Sequence, residues 1–285
     1  MNKYKENFMR IIFSITAAIS IAAVILISFF LFYRGFPGMS KIGVFNFIAG
    51  TRWRPNEGVY GIFPMILGSL YVTAGALVIG VPVGLLSAIF FAKFCPPKLY
   101  KILKPAVELL AGIPSIVYGF FGLVVIVPAV MNTFDLASGQ TMLAGSLLLG
   151  IMIIPTITTV SEAAIRAVPE TYYEGALALG ATHEQSVFKT VVPAAKSGIL
   201  AGIVLGIGRA IGETTAVLMV VGNQQRMPKG ILKGLSTLTT NIVLEMGYAT
   251  DLHREALLAT AVVLFVFILL INLSFSVLKK GSKIK

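Results

Sequence analysis

The chain has one cysteine, Cys95, and two histidines, His183 and His253. A lone thiol cannot form an internal disulfide, and so few soft ligands leave no cysteine–histidine metal site to build. Cys95, beside Pro96 and Pro97 in a short basic segment, reads as an incidental thiol. Charge is also scarce. Asp, Glu, Lys and Arg make up 12% of the 285 residues, against roughly 25% in a soluble domain, which excludes a surface that mostly faces water. The dipeptide Gly-Lys never occurs, so no phosphate-binding loop of the G-x-x-x-x-G-K-[ST] kind is present and ATP hydrolysis by that route is excluded. Neither a nucleophile–base set nor paired carboxylates in a pocket can be picked out, so an enzyme has almost no support.

What is abundant is apolar sequence: 56% of residues are hydrophobic and the mean hydropathy is +0.89. The net charge of +11 is scattered in short clusters between oily runs. That pattern fits a cytoplasm-facing membrane surface better than a nucleic-acid partner.

Stretches free of Asp, Glu, Lys and Arg run over 11–33, 58–92, 109–134, 136–161 and 256–278. Each exceeds the roughly 20 residues that a helix needs to cross a bilayer. A sixth, about 197–222, qualifies apart from Arg209 and Glu213. Trimmed at Pro, Gly and aromatic ends, these runs predict six transmembrane helices near 11–33, 64–92, 106–131, 140–162, 196–222 and 256–278. The first run is too long for a secretory signal core and lacks a small-x-small cleavage site, so it is expected to be retained. With the N-terminus inside, inner segments carry 13 Lys and Arg and outer segments 8. Lys98, Lys101 and Lys104 inside, none in 132–139 outside, and the basic tail 279–285 place both termini in the cytoplasm. The expectation is an all-α integral membrane protein: a first helix and outer loop over 1–63, a core over 64–278 containing a cytoplasmic loop 163–195, and the tail.

That loop has strong local signals. Pro169 is placed to open a helix, ETYYEGALAL continues it, and Gly180 supplies a left-handed end. Thr182 and Gln185 form a T-x-x-Q capping box for a second short helix, which Pro193 stops. The loop therefore reads as helix, glycine turn, helix, with an ordinary interfacial helix as the plainer alternative. Outside, Trp53 in TRWRPNEG suits an interfacial belt or a docking surface. Segment 223–255, with apolar and polar residues at roughly helical spacing, either lies on the membrane or dips into it.

Two charges interrupt the run VLGIGRAIGETTAV at 204–217. Arg209 and Glu213, four apart, are expected on one helix face. A single mid-bilayer charge costs about 2.5–3.5 kcal/mol, so both must face protein or a water-filled path. A mutual ion pair that only locks packing is one reading. Gly202, Gly206, Gly208 and Gly212 are expected to allow close helix approach. Glu108 reads most simply as an acid at the start of the third span, with a place on the substrate path as the alternative. Gly112-Ile113-Pro114-Ser115 should kink or break that helix, leaving the Ser115 and Tyr118 hydroxyls available to a path.

EGALALG, nine residues before TVVP, resembles the Glu-Ala-Ala loop of ABC importer permeases. Glu174, Ala176, Gly180 and Pro193 match in position, Gly175 replaces the first Ala, and Thr190 and Val192 replace Ile and Leu. YGIFPMILGSLYVT at 60–73, ELLAGIPSIVYGFFG at 108–122 and GIGRAIGETTAV at 206–217 are similar to the phosphate branch of that family over roughly 58–278. The Trp-x-Pro at 53–55 is closer to its PstC branch than to the PstA branch. The resemblance implies a type I ABC importer permease fold in a bacterial inner membrane and no cofactor on this chain. It also implies a PstA-like partner in a heterodimer, two PstB-like ATPase subunits that seat the loop 163–195, and an external PstS-like phosphate-binding protein. Arg209 would then meet the anion, its fork matching phosphate oxygens, while Glu213 holds the arginine or screens the anion's protonation state. Permeation of phosphonate, sulfate or molybdate, and a membrane scaffold for phosphate-sensing signalling, stay open.

Overall fold

The structure, a computed structural model, describes residues 3–281, with side-chain surroundings described from 6 to 274. The tail 279–285 lies outside the described residues apart from helical backbone to Gly281. In chain order the helices are α1 (Lys3–Ile42), α2 (Val44–Ala49), α3 (Phe63–Ile89), α4 (Pro97–Gly112), α5 (Ser115–Phe121), α6 (Val127–Thr133) and α7 (Met142–Arg166). They continue with α8 (Glu170–Ala178), α9 (His183–Ser186), α10 (Val192–Ala194), α11 (Lys196–Gly212), α12 (Thr215–Val220), α13 (Leu238–Met246) and α14 (Asp251–Gly281). Two short strands, β1 (Trp53–Arg54) and β2 (Val59–Tyr60), pair antiparallel across a turn that Gly58 closes at φ 69°.

Five helices are long and apolar enough to span a membrane, or six if α9–α10 and α11, bent by 69° at Ala195, count as one. Four expected spans appear with longer ends. The first runs on to Ile42, because Gly35 and Gly38 keep its outer end against α14. Two expectations are corrected. The third span opens at Ser115, not at 106, because Pro114 cannot donate a helical N–H and the residue before a proline leaves the α region: Ile113 has ψ 127°. The fifth span is not continuous over 196–222. It breaks at Glu213, also extended at ψ 126°, and restarts at Thr215.

The core is built on α7, whose apolar window is 61% buried, whereas that of α1 is wholly uncovered. α3 and α7 meet along a seam of small residues. A Cβ on Gly80 or Gly84 would press on Ile153 or Ile157, and one on Gly150 on Ile79. This is how helices associate where water offers no driving force. Thr158 Oγ1 donates to Gly84 O at 3.1 Å and Ser146 Oγ to Val72 O at 3.3 Å across the seam. α11 joins α7 at Gly202 and Gly206. Gly208 and Gly212 face open space, so only half of the expected small-residue stripe packs.

On the outer side α13 folds back onto the core, with Leu238 N donating to Ser69 Oγ at 3.0 Å. Trp53 is neither belt nor exposed docking residue. It is buried, and its Nε1 donates to Glu245 Oε2 at 2.8 Å, which also meets His253 Nε2 at 2.7 Å. Gln225 joins the same carboxylate. This knot ties 43–61, α13 and the start of α14 together. Burial, and then the Glu245 charge, hold the Tyr60 and Tyr248 phenols above their usual pKa.

Candidate functional site

The two broken spans lie against each other. α5 packs on α12 so closely that a Cβ on Gly119 would meet Met219 Sδ at 2.7 Å and Ala216 Cα at 3.0 Å. Ile113, Tyr118, Ala210, Ala216 and Val217 share one core cluster. The breaks at 113–114 and 213–214 therefore fall in one region, and broken helices in a membrane are tolerated where protein or a water-filled cavity takes up the freed backbone groups.

Each break is stitched by a side chain. Pro114 deprives the Leu110 carbonyl of its helical partner, and the Tyr118 hydroxyl donates to that oxygen at 2.8 Å instead. The phenol proton is thus engaged in holding the turn rather than free for a path. Glu213 accepts from the Ala216 N–H at 3.1 Å, capping α12, while Thr239 Oγ1 donates to Glu213 O at 3.2 Å. Glu213 also borders a small partly open space of about 10 Å³ shared with Ser69, Thr73, Thr237 and Thr239, room for about one water.

Arg209 sits half-buried in the last turn of α11, and its Nη1 donates to Thr156 Oγ1 on α7 at 3.2 Å. It makes no ion pair among the described residues. The expected shared face with Glu213 does not exist, because the helix that would carry both ends between them. The guanidinium therefore keeps most of its donors unspent. Ser115 is half-buried at the start of α5. Glu108 is corrected: it lies late in α4, exposed, 3.6 Å from Lys104, and does not open a span.

The loop after α7 follows its sequence signals. α8 starts after Pro169, and Gly180 takes φ 86°. Thr182 and Gln185 form the capping box. Tyr173 Oη pairs with His183 Nδ1 at 2.7 Å, joining α8 to α9. Pro193 lies within α10, and the chain turns two residues later, at Ala195. Glu174 and Gly175 are exposed and Ala176 half-buried. At the tip Leu179 is 91% exposed, an apolar side chain pointing away from this chain's own core.

Sequence reasoning missed the anchor beneath this loop. Glu162, buried near the end of α7, accepts from Tyr100 Oη at 2.8 Å, Lys104 Nζ at 2.9 Å and Arg166 Nε at 2.9 Å. Arg166 also donates to Phe91 O at 2.6 Å, in the π-helical turn that ends the second span. The i, i+4 spacing of Glu162 and Arg166 was a readable signal. The contribution from α4 was not.

A bundle of long apolar helices, two of them broken, with a structured loop between α7 and α11 has the architecture of a membrane permease. The chain belongs to the family of binding-protein-dependent transport system inner membrane components, whose model matches residues 80–283. It is 40% identical over 273 residues to the probable ABC transporter permease protein YqgH of Bacillus subtilis, covering 92% of this chain and 88% of that one. It is 34% identical over 261 residues to the phosphate transport system permease protein PstC of Mesorhizobium japonicum, covering 85% and 80%. Its fold matches the MetNI methionine ABC transporter (TM-score 0.60, 20% identity, 81% and 99% covered). It also matches a bacterial alginate ABC transporter (TM-score 0.59, 15% identity, 95% and 99% covered). The fold is thus that of type I ABC importer permeases, and the chain is a multi-pass inner-membrane protein.

Proposed function

We propose that this chain forms half of the pore of an ATP-driven importer of inorganic phosphate, with Arg209 as the anion contact. The observation that carries this reading is the half-buried Arg209 guanidinium, without a carboxylate partner among the described residues, beside the break in the fifth span. Forked donors that stay charged suit phosphate oxygens, and relatives at 32–34% identity are named phosphate transport permeases. A signalling scaffold would have no need for that buried charge. In this reading Ser115 is the next hydroxyl along the path, Glu213 and Tyr118 shape the breaks, and Glu108 takes no part. This reading asks for no cofactor on this chain. Its partners are a PstA-like permease, two PstB-like ATPases and a PstS-like external phosphate-binding protein. ATP-driven uptake of labelled phosphate by the complete transporter in liposomes tests the substrate. Saturable uptake that excess sulfate, molybdate or phosphonate leaves unchanged is expected. Efficient competition by one of them would move the substrate to that oxyanion.

In the same reading the loop 163–195, with Glu174, Gly175, Ala176, Gly180 and Pro193, seats in the ATPase and carries its motion to the spans. Gly180→Val isolates this role. At φ 86° a β-branched residue is strained by about 1–2 kcal/mol, yet nothing lies within 4 Å of the added Cβ. The complex carrying this variant is expected to hydrolyse ATP while losing uptake. Fully coupled uptake in that variant would remove the loop from the mechanism.

A further inference from the structure

The outer ends of the first and last spans enclose a pocket that the proposed path does not use. α1 crosses the charge-free run 11–33 and meets its first charge at Arg34. Arg254 and Glu255 are the last charges of α14 before the charge-free run 256–278. Both arginines therefore sit at the outer edge of the hydrocarbon. Phe30 lies one turn below Arg34, and Leu258 one turn below Arg254, so each helix stacks a cation over an apolar side chain on one face. These four side chains, with Asp251, Glu255 and Met246, line a single pocket of about 450 Å³. The helices are pinned together beside it. A Cβ on Gly35 would approach Val262 Cγ2 to 2.6 Å, and one on Gly38 would approach Glu255 Cβ to 2.7 Å.

The pocket's two arginines and two carboxylates form no ion pair with one another among the described residues. Glu255 is taken by Lys41 at 2.8 Å, whereas Arg34, Arg254 and Asp251 make no ion pair among the described residues. Two exposed guanidiniums over an apolar floor, at headgroup depth, match a molecule with a phosphodiester above and a hydrocarbon chain below. A water-soluble anion would leave Phe30 and Leu258 unused. Asp251 adds an acceptor suited to a primary ammonium. We propose that this pocket binds an outer-leaflet aminophospholipid of the ethanolamine type, its phosphate held by Arg34 and Arg254, its ammonium by Asp251, and an acyl chain running past Phe30 and Leu258.

Native mass spectrometry of the delipidated, assembled transporter provides the test, with phosphatidylethanolamine, phosphatidylcholine, phosphatidylglycerol and inorganic phosphate titrated separately. Wild type is expected to bind phosphatidylethanolamine at least about tenfold more tightly than phosphatidylcholine, a difference of about 1.4 kcal/mol. R34Q/R254Q should weaken all three lipids, and D251N should erase the preference for ethanolamine over choline. Equal lipid binding by wild type and R34Q/R254Q would overturn the proposal. So would displacement of the lipid by inorganic phosphate, which would make this an anion site. Asp251 is exposed and anchors no packing, so D251N decides the headgroup question even if the double variant fails to assemble, and an unchanged preference would overturn it.

Discussion

Arg209→Gln is expected to abolish phosphate uptake while the complex still assembles. Glutamine keeps an N–H donor but removes the charge and the fork. Truncating one member of the hydrogen-bonded charge pair that this reading gives Arg209 and the bound anion costs about 2–5 kcal/mol, roughly a 30- to 3,000-fold loss at 1.4 kcal/mol per decade. Assembly should survive, because α11 is held to α7 at Gly202 and Gly206, and the guanidinium contributes one side-chain bond, at 3.2 Å. Arg209→Lys, a point charge without the fork, should fall between the two. Uptake in liposomes and co-purification of the ATPase measure the two effects separately. Loss of assembly would make Arg209 a packing residue. Unchanged uptake would take it off the path and turn attention to Ser115.

Glu162→Ala should be the most destabilising substitution on the cytoplasmic side. The carboxylate is 3% exposed and answers three donors, and without it Lys104, 14% exposed, keeps only Glu108 at 3.6 Å. Removing one partner from a buried ionic cluster costs roughly 3–5 kcal/mol. No residue of α4 is itself buried, so this cluster is its principal anchor to the bundle. The expected result is a lowered thermal unfolding temperature of the purified protein and early proteolysis within 97–112. Glu162→Gln, which still accepts hydrogen bonds, should lose less. A double-mutant cycle with Lys104→Ala should give a coupling energy above about 0.5 kcal/mol, the level at which independent sites add. Additive losses would mean that the cluster does not hold α4.

Much of the fold was legible because a bilayer imposes strong and local constraints. Twenty apolar residues without charge have few other uses, and positive residues report the side of the membrane. Proline and glycine also act through their own backbone. Pro114 leaves Ile113 extended and starts a new helix, and Gly180 turns left-handed with nothing packed against it. The break at Glu213 was hidden for the opposite reason. GRAIGETTAV contains no proline, and its helical spacing predicts a shared face for Arg209 and Glu213 that the chain never makes. The turn exists because contacts distant in sequence pay for it: Thr239 holds the Glu213 carbonyl, and α12 seats on α5.

The sequence by itself determined where the long apolar runs lie, the helix–turn–helix of the loop 163–195 and the presence of an arginine that lipid cannot accept. The tertiary structure decided which charges meet. It separated Arg209 from Glu213, engaged the Tyr118 hydroxyl on Leu110, buried Trp53 against Glu245 and gathered Tyr100, Lys104 and Arg166 around Glu162. Periodicity within one helix reaches only four residues along the chain, whereas Trp53 and Glu245 are brought together across 192 positions by the packing of the whole bundle.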